Sequence, residues 1–121
     1  MDTIKSSTEI SQLFSTGKRY KTRYITFIVG DETSAQDRGN EAQHDLPGRV
    51  AFIAGKKLGN AVWRNQAKRR MRALCREMGG PWAGKKVVFL AKGALTQAPY
   101  GKVLGECEGI ARKFSSSEVD R

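Results

Sequence analysis

Residues 56–81 read KKLGNAVWRNQAKRRMRALCREMGGP, and this stretch decides the fold. Lys56-Lys57-Leu58-Gly59 reads as a turn, Asn60 is a favoured N-cap, and Gly79-Gly80-Pro81 is a stop signal, so the spacing predicts a helix over 61–78. At about 100° per residue, Trp63, Ala67, Met71, Leu74 and Met78 fall within about 80° of one another and form the stripe to be buried. Arg64, Lys68 and Arg72 climb one edge of that stripe at i, i+4 spacing. Asn65, Arg69 and Arg76 carry the polar band around the exposed side.

A helix with one apolar stripe needs a sheet or other helices to bury it, and the flanking sequence supplies a sheet. Arg49 to Gly55 before the helix and Lys85 to Lys92 after it are apolar and β-branched enough to be strands, so the helix is the crossover between them. Further upstream, Tyr24 to Val29 alternates, with Ile25, Phe27 and Val29 on one face and Tyr24, Thr26 and Ile28 on the other. A shorter strand near 18–21 precedes it. Ser6-Ser7-Thr8-Glu9 fits a capping box before Ile10, Leu13 and Phe14, and Gly17 closes a helix over about 7–16. Val103, Cys107, Ile110 and Phe114 give a last helix, Pro99 to Phe114, its inner face. The expected architecture is an α+β sandwich in the order α-β-β-α-β-α, in one domain of 121 residues with about 6–114 ordered, an acidic loop over 31–48 and a frayed tail over 115–121.

Composition narrows the chemistry. The 22 Lys and Arg exceed the 12 Asp and Glu by ten, and the unevenness says more than the total. Residues 31–48 hold five acids and one base, which leaves 21 bases against 7 acids, or +14, on the rest. From Leu46 to Arg76 there is no acid at all, while nine residues are cationic: Arg49, Lys56, Lys57, Arg64, Lys68, Arg69, Arg70, Arg72 and Arg76. A polyanion is the partner such a segment fits. The longest apolar runs are five residues, far below the roughly 20 of a membrane span, and the start lacks a signal-peptide pattern, so a cytosolic, membrane-free protein is expected. Cys75 and Cys107 stand alone without zinc-site spacing and read as reduced core residues. His44, the only histidine, reads as a solvated loop residue rather than a catalytic base.

Like charges at i, i+4 cost a helix roughly 0.2–0.5 kcal/mol per pair, and Arg64/Lys68, Lys68/Arg72 and Arg72/Arg76 make three such pairs. An external anion neutralises that strain; solubility alone does not require 31 residues free of acids. Arginine's planar fork favours phosphate and stacked bases over lipid headgroups. Long cations on every exposed position suit backbone contacts better than base reading in a major groove, and RNA, with its irregular phosphate clusters, fits better than duplex DNA. Tyr24, Thr26, Ile28 and Phe14 could accommodate unstacked bases on the sheet, although Phe27 and Phe52 read as core.

The run Lys56-Lys57-Leu58-Gly59-Asn60-Ala61-Val62-Trp63-Arg64-Asn65-Gln66-Ala67-Lys68-Arg69-Arg70-Met71-Arg72 closely resembles the signature of the bacterial ribonuclease P protein subunit. RVAFIAG before it and VVFLAKG after it agree, so residues 6–114 are covered. The resemblance implies a ribosomal-protein-like fold with a left-handed βαβ crossover through the basic helix. It also implies that an RNA subunit, with RNA-bound divalent metal ions (Mg), cleaves the 5′ leader from precursor tRNA. The protein then binds the catalytic RNA subunit and precursor tRNA, with no metal or cofactor ligands of its own, no catalytic residue and no obligate protein partner. By position, Arg64, Asn65, Lys68, Arg69, Arg72 and Arg76 would face the RNA subunit, with Lys56 and Lys57 near the leader junction and Gly59 permitting the turn.

A cleft over the sheet would hold the leader, with Phe14, Tyr24, Thr26, Ile28 and Ile53 as its contacts and Ile10 and Ala51 on the same side. The family often carries aromatic residues where this chain has Ile10 and Ile28, and a second arginine where it has Gln66. Two rival functions are a structural ribosomal protein binding rRNA and a stand-alone nuclease. The RNA that copurifies separates the first, and cleavage by the protein without RNA would mark the second.

Overall fold

The computed structural model describes residues 3–31 and 47–115; most of the acidic stretch 31–48, with His44, and residues 116–121 of the expected tail lie outside them. Helix α1 (Ser7–Thr16) is followed by strands β1 (Lys18–Lys21), β2 (Ile25–Asp31) and β3 (Arg49–Ile53), helix α2 (Ala61–Glu77), strand β4 (Lys85–Ala91) and helix α3 (Tyr100–Ser115). Short 3-10 turns sit at Lys56–Leu58 and Gly93–Thr96. The sheet runs β1-β2-β4-β3, antiparallel except where β3 lies parallel to β4. Helix α2 is therefore the crossover between two neighbouring parallel strands, as its position between them requires.

The strand alternation sorts the core into two layers. Ile25, Phe27 and Val29 of β2 join Val50, Val87, Phe89 and Ala91 on one face, under Ala67, Met71, Leu74 and Cys75 of α2 and Val103, Cys107, Ala111 and Phe114 of α3. Phe27 meets Phe89 edge to face with centroids 4.9 Å apart. The other face is smaller: Ile28, Ala51 and Val88 receive Leu13 of α1 and Ile4. The N-terminal segment extends that side, Thr3 bridging to Val50 and the Ile4 amide donating to the Val50 carbonyl at 2.8 Å.

Local chemistry sets the helix boundaries. The Ser6 hydroxyl accepts from the Glu9 amide at 3.3 Å, and the Asn60 side chain accepts from the Trp63 amide at 3.0 Å. Helix α2 ends where Gly79 turns to φ 92°, a left-handed conformation that strains any side chain. Gly59 is extended, not left-handed, so the turn does not need glycine for its backbone. A Cβ there would stand 2.7 Å from the Trp63 side chain, and the close approach of turn to indole is what requires it.

The buried arc of α2 is displaced from the expected one. Cys75 is fully buried, whereas Trp63 and Met78 are only partly so, which turns the buried arc toward the Cys75 side of the helix. Both cysteines are buried and free, and burial pushes each thiol up to about 11.

Candidate nucleic-acid interface

Because α2 lies on the sheet along one stripe, its remaining positions split into an outer crest and two flanks. Asn65, Arg69, Arg72 and Arg76 are exposed on the crest, as are Lys56 and Lys57 in the preceding turn. Arg64 and Lys68 are half-buried on the flank nearer β3. Arg64 folds back so that its guanidinium stands 3.5 Å from the Gly59 carbonyl, and the Arg72 guanidinium sits 5.7 Å from the centre of the Phe52 ring on β3. Among the described residues, none of Lys56, Lys57, Arg64, Lys68, Arg69, Arg72 and Arg76 forms a salt bridge. The surface is thus a connected run of uncompensated positive charge, held in place by a core-bound helix.

Arg70 belongs to the opposite flank and does different work. Its Nη1 donates to the Leu95 carbonyl at 2.9 Å and the Ala98 carbonyl at 2.7 Å, and its guanidinium lies 5.8 Å from the Tyr100 ring centre. Two turns earlier on the helix, Trp63 Nε1 donates to Thr96 Oγ1 at 2.8 Å. Together these tie α2 to the 3-10 turn at 93–96 and the start of α3. Charge alone groups Arg70 with its neighbours; its angle on the helix, next to Trp63 and away from the crest, is the signal that separates it.

On the far face of the sheet, α1 is pinned by a bidentate ion pair. Arg49 of β3 donates to both Glu9 carboxylate oxygens, at 3.1 and 2.8 Å. The Arg49 hydrogen bond holds the Glu9 carboxyl below its ordinary range. Phe14 projects from this helix with 37% of its surface exposed, and the Arg19 guanidinium lies 5.8 Å from its ring centre while donating to the Phe14 carbonyl at 2.9 Å. Ile10 and Ile53 are partly buried against the cluster of Leu13, Ile28 and Ala51 on the same face. Thr26, Ile28 and Ala51 are buried, since α1 lies across the middle of the sheet and Leu13 packs on Ile28. They form the floor beneath that helix rather than an open surface.

Tyr24 corrects the alternation reading: it is only 3% exposed and joins the core under α2 and α3. It precedes the strand, in a turn where the Thr22 hydroxyl accepts from the Tyr24 and Ile25 amides at 3.0 and 2.9 Å. Strand alternation therefore does not reach it. Exposed aromatic surface on this side is carried by Phe14, with Arg19 over it as a feature that sequence spacing does not reveal.

Among the described residues no three His, Cys, Asp or Glu side chains are grouped to hold a metal ion, and no helix is long and apolar enough to cross a membrane. The thiols of Cys75 and Cys107, protonated and buried, are not nucleophiles at neutral pH.

A family model described as Ribonuclease P matches residues 1–115. The ribonuclease P protein component of Syntrophomonas wolfei is 32% identical over 98 residues, which cover 80% of this chain and 73% of that protein. That of Natranaerobius thermophilus is 28% identical over 113 residues, 92% of this chain and 88% of the relative. Among solved structures, the RNase P protein of Thermotoga maritima superposes with a TM-score of 0.73 at 15% identity, covering 94% of this chain and 98% of its own. The Staphylococcus aureus RNase P protein gives 0.73 at 18%, covering 93% and 94%. With the fold shared and the family model spanning nearly every residue, the chain belongs to the ribonuclease P protein family.

Proposed function

We propose that this chain is the protein subunit of ribonuclease P, a ribonucleoprotein endoribonuclease that matures the 5′ ends of tRNA, and that it binds the catalytic RNA subunit through the crest of α2. The observation that carries this is the run of cations on α2 and its leading turn with no protein carboxylate to neutralise it among the described residues. Arg64, Asn65, Lys68, Arg69, Arg72 and Arg76 contact RNA phosphates, and Lys56 and Lys57 extend the contact toward the leader junction. Phe14, with Ile53 and Ile10 on the same face, meets the unpaired leader of precursor tRNA, and Thr26 and Ile28 support that surface from beneath.

Strand cleavage would belong to the RNA, with divalent ions such as Mg held by the RNA supplying the metal-ion chemistry of phosphodiester hydrolysis. The chain's share is to bind, to neutralise phosphate charge and to orient the leader, and no ligand of its own is assigned to those ions. The reading carries with it a cytoplasmic location, a single domain over residues 1–121 and a left-handed hand for the β3-α2-β4 crossover.

The test is the salt dependence of binding to the RNA subunit. If about four to six cations reach phosphates, log Kd against log salt should change with a slope of roughly 3 to 5 in magnitude, at about 0.7–0.9 per contact. A slope near zero would sink the proposal. RNA recovered with the tagged chain should be one discrete catalytic RNA; an rRNA particle would favour the ribosomal alternative.

A further inference from the structure

On the flank of α2 away from β3, a cleft of about 380 Å³ opens between α2, the turn at 93–96 and the start of α3, lined by Gln66, Arg69, Arg70, Ala73, Thr96 and Tyr100. Its size lies in the range of small-molecule sites. The walls are fixed before any ligand arrives. Arg70 is held by two carbonyls and lies over the Tyr100 ring, and the Thr96 hydroxyl is occupied by the Trp63 indole. No acid is among the lining residues, and Arg69 is exposed without a salt bridge among the described residues. The Tyr100 hydroxyl is shut off from solvent without a hydrogen-bond partner among the described residues, so one wall is a hydrogen bond short.

Flat cationic and aromatic walls, one free arginine and one amide are the chemistry of a nucleotide. Phosphate fits Arg69, a base stacks on the guanidinium and ring planes, and a glutamine amide matches the N6 and N7 positions of adenine bidentately. Lipid headgroups would leave the amide and the stacking walls unused. We propose that this cleft receives one unstacked adenine nucleotide of the bound RNA, with Gln66 reading the base and Arg69 holding its phosphate. The cleft adjoins the crest of α2, so this rests on the RNA-binding reading above and gives it a base-specific contact beside its electrostatic ones.

The experiment uses the full chain with the RNA subunit, the parent and two variants: Gln66→Ala and Arg69→Ala. Diethyl pyrocarbonate probing of purine N7 should show one unpaired adenine protected by the parent and re-exposed by Gln66→Ala, with all other protections unchanged. Gln66→Ala should weaken binding about tenfold without altering the salt slope, because a base contact releases no counterion. Arg69→Ala should weaken binding and lower the slope by about 0.7–0.9.

The proposal is overturned if Gln66→Ala keeps every N7 protection and binds within twofold of the parent, or if it changes the slope as Arg69→Ala does, which would mean phosphate alone enters the cleft. If the parent itself does not bind the RNA subunit, the RNA-binding reading fails, a result distinguishable from either of these.

Discussion

Arg69 and Arg70 are adjacent in sequence and should respond in opposite ways to removal. Replacing Arg70 with Ala deletes two charge-assisted hydrogen bonds, to the Leu95 and Ala98 carbonyls, and a cation over the Tyr100 ring. Charged hydrogen bonds are worth about 1.5–3 kcal/mol each and an exposed cation–π contact about 0.5–1 kcal/mol. The guanidinium is only part-buried and water can reach some of the vacated space, so the net loss should be about 2–3 kcal/mol. For a chain of 121 residues this corresponds to a Tm lowered by about 10 °C. Arg69→Ala removes no protein contact among those described and substitutes a slightly better helix former, so its Tm should hold or rise slightly. Arg70→Lys, unable to span both carbonyls with a planar fork, should recover no more than about half the loss. Thermal unfolding followed by circular dichroism at 222 nm, at one fixed salt, measures all three. Equal Tm values for Arg69→Ala and Arg70→Ala would refute the reasoning, because the division of the basic helix into crest and flank rests on this difference.

Replacing Arg64, Lys68 and Arg72 together with Ala relieves like-charge strain of about 0.6–1.5 kcal/mol but removes the Arg72 contact with Phe52 and the long Arg64 hydrogen bond to the Gly59 carbonyl, so stability should change by less than about 1 kcal/mol in denaturant titration while RNA affinity falls at least a hundredfold in filter binding. Phe14→Ala should lower holoenzyme affinity for leader-bearing precursor tRNA about tenfold and leave affinity for a leaderless tRNA nearly unchanged, as exposed stacking groups do. Tyr24→Ala is not an equivalent test, since it empties a core position and should cost about 3–5 kcal/mol, visible as a loss of cooperative melting near the parent temperature. Because the folded-state pKa of Glu9 is lowered, its pairing with Arg49 contributes stability above the ordinary carboxylate range and loses it as pH falls through the folded pKa. Glu9→Gln should flatten that part of the acid limb in urea titrations between about pH 5 and 3.

The basic helix is legible in sequence because its signals agree: Asn60 caps it, Gly79 ends it, and the apolar period runs through Ala67, Met71 and Leu74. Its buried arc is turned further toward Cys75 than the period implies, a rotation set by tertiary packing that no periodicity contains. The first helix is likewise readable from Ser6, but Glu9 does not complete the capping box. Its carboxylate goes to Arg49, 40 residues away. Tyr24 escapes the alternation rule because that rule assumes a strand, and the Thr22 hydroxyl has already turned the chain there. The role of Arg70 depends on carbonyls 25 and 28 residues away, in and just after a turn at 93–96 whose sequence carries no strong signature. Cation placement therefore shows in sequence, and the helix angle of Arg70 sets it apart from the crest, while the carbonyls that it braces appear only once the neighbours are assembled.

The two buried thiols make the protein its own reporter of opening. Cys75 is on α2 and Cys107 on α3, and at neutral pH both are protonated and out of reach of an alkylating reagent. Modification therefore proceeds through transiently exposed states, at a rate set by their population when reclosing is fast. If the two helices leave the sheet as one unit, both cysteines should be labelled in step. If α3 detaches first, Cys107 should be labelled ahead of Cys75, and RNA bound along α2 should then slow Cys75 far more than Cys107, so that two mass shifts in one spectrum track the two helices separately.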